Sequence, residues 1–313
     1  MFWKKWFVPK PYNEGFLPEK DGHKVYFAEF GNKNGQPVLM FHGGPGYWSR
    51  AENAANFDLK KYRVIMFDQR GAGKSEPLGR TEFNTTADLI DDASRLLDYL
   101  QIKKKLILYG GSWGSTLALL FAEKNPERVK CLLLSKIFFA DADDRDWELN
   151  GSARFYPDIM DIMVENLGSR EEIPQYYNEM INSGVAELQN KAAAFYGSYE
   201  MQLGSLSPKI RQEALDEKTL QMMRVFMHYS AHDFMLPERE IYQNLHYIAE
   251  IPMLIVHNRL DFVCPVANAY RLHKAVSRSR LVIVPDNGHS SRLLSETNKA
   301  EVKKFLENIG TGV

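Results

Sequence analysis

A serine enclosed by glycines is the first feature of this sequence that could do chemistry. Ser112 is the centre of a G-x-S-x-G motif between an apolar run at residues 105–109 and a helical pattern at residues 113–124. A strand that turns sharply into a helix needs small residues at both glycine positions and exposes the serine hydroxyl. Ser112 is therefore a candidate nucleophile, and the N–H of Trp113 would face a developing oxyanion. The alternative is a glycine-rich turn with a bystander serine.

A serine hydroxyl is a weak nucleophile unless a base takes its proton, so a histidine should accompany Ser112. The chain has eight histidines, and His289 is the one in a turn directly after a late apolar run, residues 281–284. The preceding Gly288 suits a loop that delivers an imidazole to the edge of a sheet. We therefore predict His289 as the base. His257, at the end of the preceding strand pattern, is expected to be a core or supporting residue.

An acid is needed to fix the tautomer of this histidine and to stabilise its protonated form. Asp261 is the only carboxylate in residues 258–265, the loop after the predicted strand at residues 253–257. Asp286 is the alternative, but it lies three residues from His289 along the chain. The spacing therefore favours Asp261.

A second glycine-rich segment could supply the other donor to an oxyanion. Residues 42–46 read His-Gly-Gly-Pro-Gly and follow an apolar run at residues 37–41, as in the H-G-G type of oxyanion loop. Glycines let the backbone approach a substrate carbonyl closely. We predict the N–H of Gly44 as the second donor, with Gly43 as the alternative, and a structural role for His42.

Residues 68–75 end in Gly-Lys-Ser and invite comparison with a phosphate-binding loop. That motif requires a glycine five positions before Gly73, where this sequence has Asp68. The segment is instead predicted to be a turn after the apolar run at residues 62–67. In this interpretation it braces the oxyanion loop through hydrogen bonds of Asp68 and Arg70.

The composition predicts a globular protein with an ordinary surface. Of the 313 residues, 44% are hydrophobic and 25% are charged, which suits a packed core. The net charge is −1, from 39 Lys and Arg against 40 Asp and Glu, so there is no reason to expect nucleic acid or an anionic membrane as partner. Two cysteines, Cys131 and Cys264, are too few for a disulfide framework.

No segment has the pattern of a signal peptide or a membrane span. In residues 1–10 the longest apolar stretch is three residues, against roughly 7–15 in a signal peptide. No run approaches the roughly 18 apolar residues of a span. We therefore expect a soluble, cytoplasmic protein. The aromatic residues at the start are predicted to form a first strand or a packed arm, rather than a membrane-interface anchor: Phe2, Trp3, Trp6 and Phe7.

The order of patterns predicts an α/β fold. Short apolar runs alternate with amphipathic helices, which is typical of a mostly parallel sheet flanked by helices on both faces. One helix should begin near Thr85 or Thr86, either of which can act as N-cap. Residues 139–237 lack this alternation and are rich in aromatic residues and Met. We predict a core from residues 1–138 and 238–313 with an inserted, mainly helical cap at 139–237, over the edge where such sheets bind ligands.

Together these motifs resemble the proline iminopeptidase (prolyl aminopeptidase) family of α/β-hydrolases. The similarity runs over nearly the whole chain, through residues 42–46, 68–73, 110–119, 261–265 and 285–290. It implies the α/β-hydrolase fold, catalysis by Ser112, Asp261 and His289, and no metal or cofactor. The implied reaction is release of an N-terminal residue, typically proline, from a small peptide.

The resemblance continues into the predicted cap, with one departure. Residues 196–200 are similar to a family segment whose glutamate binds the free amine of the substrate, which makes Glu200 an amine-binding candidate. The second family glutamate is replaced here by Phe226, and we hypothesise that Glu148 supplies the missing charge. A desolvated ammonium needs a carboxylate partner. The predicted substrate-binding residues are Glu200, Glu148, Phe138, Phe226, Tyr199 and Cys264.

Two other functions stay open. An esterase or amidase for small apolar acyl groups is the alternative enzyme, because Phe226 removes one amine-binding charge. A receptor that keeps the fold without catalysis is the other, although all three positions of the predicted triad are filled. The oligomeric state is not predicted.

Overall fold

The computed structural model describes residues 8–205 and 215–310. The aromatic residues at positions 2, 3, 6 and 7, predicted as a first strand or packed arm, lie outside the described residues. Within those two ranges, no helix is long and apolar enough to cross a membrane.

Eight strands form one sheet in the described part of the chain. They are β1 Asn13–Phe16, β2 Tyr26–Gly31, β3 Gln36–Phe41, β4 Tyr62–Phe67, β5 Leu106–Ser112, β6 Val129–Ile137, β7 Met253–Leu260 and β8 Ser279–Asn287. Their order across the sheet is β1-β2-β4-β3-β5-β6-β7-β8. β2 pairs antiparallel with β1 and β4, and every other neighbouring pair is parallel. The predicted mostly parallel sheet is confirmed.

The helices lie between the strands, as the alternating pattern predicts. They are α1 Thr86–Tyr99, α2 Trp113–Lys124, α3 Ala142–Asp146, α4 Pro157–Val164, α5 Ile173–Ile181, α6 Ala186–Ser205, α7 Glu217–Ala231, α8 Glu240–Asn244, α9 Val266–Ala275 and α10 Arg292–Gly310. A π-helical turn, Trp147–Gly151, follows α3. Helices α3 to α8 all fall between β6 and β7, the region that includes the predicted helical insertion.

The first helix begins where its sequence allows a capping box. The Thr85 hydroxyl accepts the N–H of Asp88 at 3.3 Å, and the Asp88 carboxylate accepts the N–H of Thr85 at 3.0 Å. This reciprocal pair satisfies two N–H groups that have no acceptor within the helix. Thr86, the other candidate cap, instead donates its hydroxyl to the carbonyl oxygen of Phe234.

Alternation along the strands builds two hydrophobic layers. In β3, Leu39 and Phe41 belong to the layer that packs against α1 and α2, while Val38 and Met40 belong to the layer on the other face. Successive side chains of a strand point to opposite faces, so one strand contributes to both layers. A third hydrophobic cluster lies among the helices between β6 and β7.

The strands that carry the candidate site extend beyond their apolar runs. β5 continues to Ser112, β7 to Leu260 and β8 to Asn287, each three residues past the end of the predicted strand. The added residues include glycines and polar side chains, which a search for apolar runs misses. β1 was also missed, because its four residues are largely exposed. Parallel strands bring these carboxyl ends to one edge of the sheet, where open α/β sheets bind ligands.

Candidate active site

The backbone at Ser112 is held in a strained conformation. Ser112 is the last residue of β5, with φ 58° and ψ −134°, a region that costs a non-glycine residue on the order of 1–3 kcal/mol. A Cβ atom on Gly110 would lie 2.1 Å from the carbonyl oxygen of Gly114, and one on Gly114 would lie 2.2 Å from that of Phe41. The motif therefore has glycine at both positions because neighbouring backbone leaves no room for a side chain.

His289 and Asp261 form a hydrogen-bonded pair. Nδ1 of His289 lies 2.9 Å from Oδ2 and 3.1 Å from Oδ1 of Asp261. The buried Asp261 carboxylate also accepts the N–H groups of Val263 and Cys264. Burial alone would raise the pKa of Asp261, but the charge and hydrogen bond of His289, with the Cys264 N–H, hold it below its ordinary value. An ionised Asp261 orients the ring and leaves Nε2 free to move a proton.

The loop that carries His289 is fixed by backbone hydrogen bonds on two sides. The N–H of His289 donates to the carbonyl oxygen of Gly204 in α6 at 2.7 Å, and the N–H of Gly288 donates to that of Leu260 at 2.9 Å. Asp286, the alternative acid, accepts the N–H of its neighbour Asn287. The imidazole is therefore positioned between β7 and α6.

The loops carrying Ser112 and His289 meet at Lys136, a residue that the sequence analysis missed. Nζ of Lys136 donates to Oγ of Ser290 at 3.4 Å, and its Cε lies 3.3 Å from the place of a Cβ on Gly111. Gly111 precedes Ser112 and Ser290 follows His289, so one side chain reaches the neighbours of both. A charged residue two positions after the apolar run of β6 is the signal that could have found it.

His257 supports the acid loop from within the core. Its Nδ1 accepts the N–H of Ile137 at 3.1 Å, and its Nε2 donates to the carbonyl oxygen of Cys264 at 2.8 Å. These two bonds fix a neutral tautomer, and burial lowers the pKa of His257. Its Nε2 lies 3.7 Å from Oδ2 of Asp261. His257 therefore joins β6 to the loop that holds the acid, which agrees with the supporting role expected.

Gly43 is the loop residue that lies beside the nucleophile. A Cβ on Gly43 would be 3.5 Å from Cβ of Ser112 and 3.4 Å from the carbonyl oxygen of Gly111. A Cβ on Gly44 would instead meet backbone nitrogens of its own turn. The N–H of Trp113 is the first in α2, and the first N–H groups of a helix have no intrahelical acceptor. The backbone of Gly43 therefore lies beside the Ser112 side chain, and that of Trp113 follows Ser112 directly.

Gln69, which the sequence analysis did not single out, ties the oxyanion loop to the elbow. Its N–H donates to Nε2 of His42, its side-chain amide donates to the His42 carbonyl oxygen, and its Oε1 accepts the indole N–H of Trp113, at 2.9, 2.9 and 3.0 Å. His42 also donates from Nδ1 to the carbonyl oxygen of Gly43. Burial lowers the pKa of His42, so the ring is neutral and structural.

Asp68 and Arg70 hold the segment that carries Gln69. The Asp68 carboxylate accepts the N–H of Ser49 at 2.7 Å and that of Lys74 at 2.8 Å. Nε of Arg70 donates to Asp92 in α1 at 2.6 Å, and both side chains are buried. Of these three bonds, only the one from Lys74 to Asp68 lies within the turn. The other two join the turn to Ser49 and to α1, so the Arg70 side chain does not bond within the turn as expected.

Glu148 and Glu200 form a pair of carboxylates between the π-helical turn and α6. The hydroxyl of Tyr196 donates to the Glu148 carboxylate, and that of Tyr199 donates to the Glu148 carbonyl oxygen at 2.8 Å. Burial raises the pKa of both carboxyls, and the charge of Glu148 adds to the rise at Glu200, which reaches about 8. Ionisation of this pair is disfavoured in the absence of a cation.

Aromatic rings surround the carboxylate pair. The Phe226 ring centroid lies 6.0 Å from that of Tyr196, the residue whose hydroxyl contacts Glu148. Tyr199 is almost fully buried in the same cluster. Tyr47, which the sequence analysis did not identify, has a raised pKa through burial and then through the charge of Glu200. Phe226 and Glu148 thus belong to one group of contacts.

Cys264 lies between the carboxylate pair and the acid. Burial raises the pKa of the Cys264 thiol, followed by the charges of Asp261 and, more weakly, Glu200. Phe138, the first residue after β6, packs edge-on against Phe234 with ring centroids 5.1 Å apart. Cys264 is therefore part of the loop that holds Asp261, and Phe138 lies beside the first turn of α2.

The comparisons with known proteins agree with this fold. A family model described as alpha/beta hydrolase fold matches residues 36–294. A thermophilic esterase from Thermogutta terrifontis has the same fold, with a TM-score of 0.58 at 21% identity over 95% of this chain and 99% of that one. The chain belongs to the α/β-hydrolases.

The similarity to curated relatives is closer. The chain is 38% identical over 291 residues to the proline iminopeptidase of Arabidopsis thaliana, and the aligned region covers 90% of this chain and 76% of the relative. It is 36% identical over 287 residues to a probable proline iminopeptidase of Leptolyngbya boryana, which covers 90% and 89%. Within the α/β-hydrolases, the chain belongs to the proline iminopeptidase family, as the resemblance in its motifs predicted.

Replacing Gly110 tests whether the strained turn depends on glycine. Gly110→Ala places a methyl group against the Gly114 carbonyl oxygen, so we expect a loss of about 2–4 kcal/mol in the free energy of unfolding, together with loss of hydrolysis. Thermal unfolding and the rate with a short p-nitrophenyl ester measure the two effects. Gly197→Ala, in α6, is the control, because its added Cβ would have Sδ of Met223 at 3.5 Å as nearest neighbour. Wild-type stability and rate in Gly110→Ala would contradict this account of the turn.

Proposed function

We propose that this protein is a prolyl aminopeptidase-like serine hydrolase that releases the N-terminal residue, preferably proline, from small peptides. The observation that carries the proposal is the pair of carboxylates, Glu148 and Glu200, grouped with a serine in a strained turn and a His–Asp pair. Buried carboxylates whose ionisation is disfavoured bind a cation well, because the cation restores the charge balance. The free amine of a peptide supplies such a cation, and the names of the curated relatives support the same reaction.

The reaction proceeds through an acyl-enzyme. Nε2 of His289 takes the proton of the Ser112 hydroxyl, and Oγ attacks the carbonyl carbon of the N-terminal residue. The protonated His289, stabilised by Asp261, gives its proton to the leaving amine as the C–N bond breaks. A water molecule then attacks the ester as His289 takes a proton from it. His289 passes this proton to Oγ of Ser112 as the C–O bond breaks, which releases the free amino acid and restores the serine hydroxyl.

Two backbone N–H groups stabilise the oxyanion in this mechanism. We assign them to Trp113 and Gly44, with Gly43, whose backbone lies next to Ser112, as the alternative. Donors fixed by the fold need no reorganisation when charge develops, and one such donor typically contributes about 2.7–4 kcal/mol to transition-state stabilisation. The bonds from Gln69 to His42 and Trp113 keep both donors in place.

Residues 139–237 act as a cap over the core formed by residues 1–138 and 238–313. Support comes from α6, which supplies both Glu200 and the carbonyl oxygen that binds the N–H of His289. A closed cap excludes water and strengthens the attraction between the carboxylates and an ammonium. Phe138, Phe226, Tyr199 and Cys264 surround the N-terminal residue of the substrate. A cytoplasmic location stays a prediction from the composition.

Glu148 takes the place of the charge that Phe226 removes. Glu148 adds to the raised pKa of Glu200 through its charge, after burial, and this coupling supports a joint role of the two carboxylates at one ammonium. Phe226 packs against Tyr196, whose hydroxyl donates to the Glu148 carboxylate. The uncharged Phe226 ring therefore lies in the same group of contacts as Glu148. The amine site therefore keeps two carboxylates, but the second one comes from position 148 instead of position 226.

A comparison of substrates separates an aminopeptidase from an esterase. We expect proline p-nitroanilide to be cleaved with a kcat/KM at least about 30-fold above that of its N-acetyl derivative, because a buried charge pair contributes about 2–5 kcal/mol. Alanine p-nitroanilide measures the preference for proline. A short p-nitrophenyl ester that reacts faster than either arylamide, with no gain from a free amine, would replace this proposal with the esterase.

Glu148→Gln tests the redistributed charge. The variant keeps an acceptor for Tyr196 but loses the charge, so we expect KM for proline p-nitroanilide to rise about tenfold, or about 1.4 kcal/mol, with little change for the ester. Glu187→Gln, on the exposed part of α6, is the matched control. In the wild type, KM should fall as pH rises from 6 to about 8, because a carboxyl with a raised pKa becomes anionic only in that window. An unchanged KM in Glu148→Gln would remove Glu148 from the amine site.

A further inference from the structure

Lys136 is a charged residue in an unusual place. It is the penultimate residue of β6. Its backbone has φ 52°, in the left-handed region that residues other than glycine rarely adopt. Its neighbours Ser135 and Ile137 are buried, whereas Lys136 is half-buried. The mechanism described above does not use this side chain.

The ammonium group of Lys136 lacks a carboxylate partner within the described ranges 8–205 and 215–310. No carboxylate oxygen there lies within 4.0 Å of Nζ, and its hydrogen bond is the one to Oγ of Ser290 at 3.4 Å. Asp261 attracts it through space, but that carboxylate already accepts hydrogen bonds from His289, Val263 and Cys264. Burial lowers the pKa of Lys136, as expected for a cation that is not neutralised. Nζ has three donors, and two of them remain for a ligand.

Lys136 lies beside both catalytic loops and apart from the two glutamates. Its side chain lies against Gly111 and Ser290, the neighbours of the nucleophile and of the base that protonates the leaving amine. The charges that act on Lys136 are those of Asp261 and Cys264, and neither Glu148 nor Glu200 is among them. The site thus has a negative end and a positive end, and it matches a substrate with an ammonium at one end and a carboxylate at the other.

We propose that Lys136 binds a carboxylate carried by the first residue on the leaving side of the scissile bond. This inference rests on the proposed aminopeptidase function and narrows its substrate class. In a dipeptide, the terminal carboxylate is two bonds from the leaving nitrogen, within reach of an ammonium beside Ser112. An acidic side chain on the second residue presents the same chemistry. The preferred substrates are therefore dipeptides with a free carboxylate, or peptides with Asp or Glu in second place.

Paired substrates that differ in one charge test the proposal. For the wild type, we expect kcat/KM for prolylglycine to exceed that for prolylglycinamide by about tenfold or more, as for a charge-assisted hydrogen bond. In Lys136→Gln the ratio should fall to near one, and in Lys136→Arg most of it should remain. Lys130→Gln, which removes a half-buried lysine at the other end of β6, is the matched control and should keep the wild-type ratio. A general loss of activity cancels in this ratio.

Two further substrates distinguish the sources of the carboxylate. A preference for prolyl-aspartamide over prolyl-asparaginamide that disappears in Lys136→Gln assigns acidic side chains to the same site. A wild-type acid-to-amide ratio near one, or a ratio that survives in Lys136→Gln, overturns the assignment of Lys136. Cleavage of proline p-nitroanilide in that case leaves the aminopeptidase function intact. Failure to cleave the arylamide at all overturns both.

Discussion

The backbone conformation of Ser112 is the constraint on which the rest of the site depends. A serine with positive φ at the junction of β5 and α2 persists because Gly110 and Gly114 allow close contact with neighbouring backbone. The contact between Gly114 and the end of β3 also brings the oxyanion loop to the serine. Strain of this kind is stable only when the surrounding packing determines it. Here the buried Trp113 and its bond to Gln69 contribute that packing.

Charge is distributed unevenly around this serine. An ionised Asp261 is stabilised by His289 and by two backbone N–H groups, whereas burial disfavours the anions of Glu148 and Glu200, and the charge of Glu148 adds to this effect at Glu200. Asp261 accepts hydrogen bonds from His289, Val263 and Cys264, whereas the Glu148 carboxylate accepts one from the Tyr196 hydroxyl. The larger number of donors explains why the charge of Asp261 is the more stable one. Carboxylates that resist ionisation until a cation arrives give selectivity for a free amine. Lys136 adds charge of the opposite sign next to the neighbours of Ser112 and His289.

Much of this arrangement could be predicted from the sequence. The order of strands and helices and the order Ser112, Asp261, His289 follow from apolar runs and from residues that end them. Local patterns could not decide between Gly43 and Gly44 as the second oxyanion donor, because both glycines fit the same loop motif. Gln69 and Lys136 were missed for a different reason. Their roles come from contacts across the sheet edge, between segments that are far apart in the chain.

The pair of carboxylates, Glu148 and Glu200, was predictable only in part. Glu200 was identified by its segment, and Glu148 by the absence of a glutamate at position 226. The raised pKa of the pair depends on burial between the π-helical turn and α6, which no sequence pattern reveals. The residues at 206–214, between α6 and α7, lie outside the described part of the chain.

Covalent labelling with a fluorophosphonate tests the central claim most directly, because this reagent requires an activated serine. Peptide mass mapping of the labelled protein should find the adduct on Ser112. The rate of labelling should fall at least about 100-fold in His289→Ala, the scale of general-base assistance, and also fall in Asp261→Asn. An unlabelled Ser112 in folded protein, or a rate that does not depend on His289, would contradict the account of a strained serine activated by this histidine.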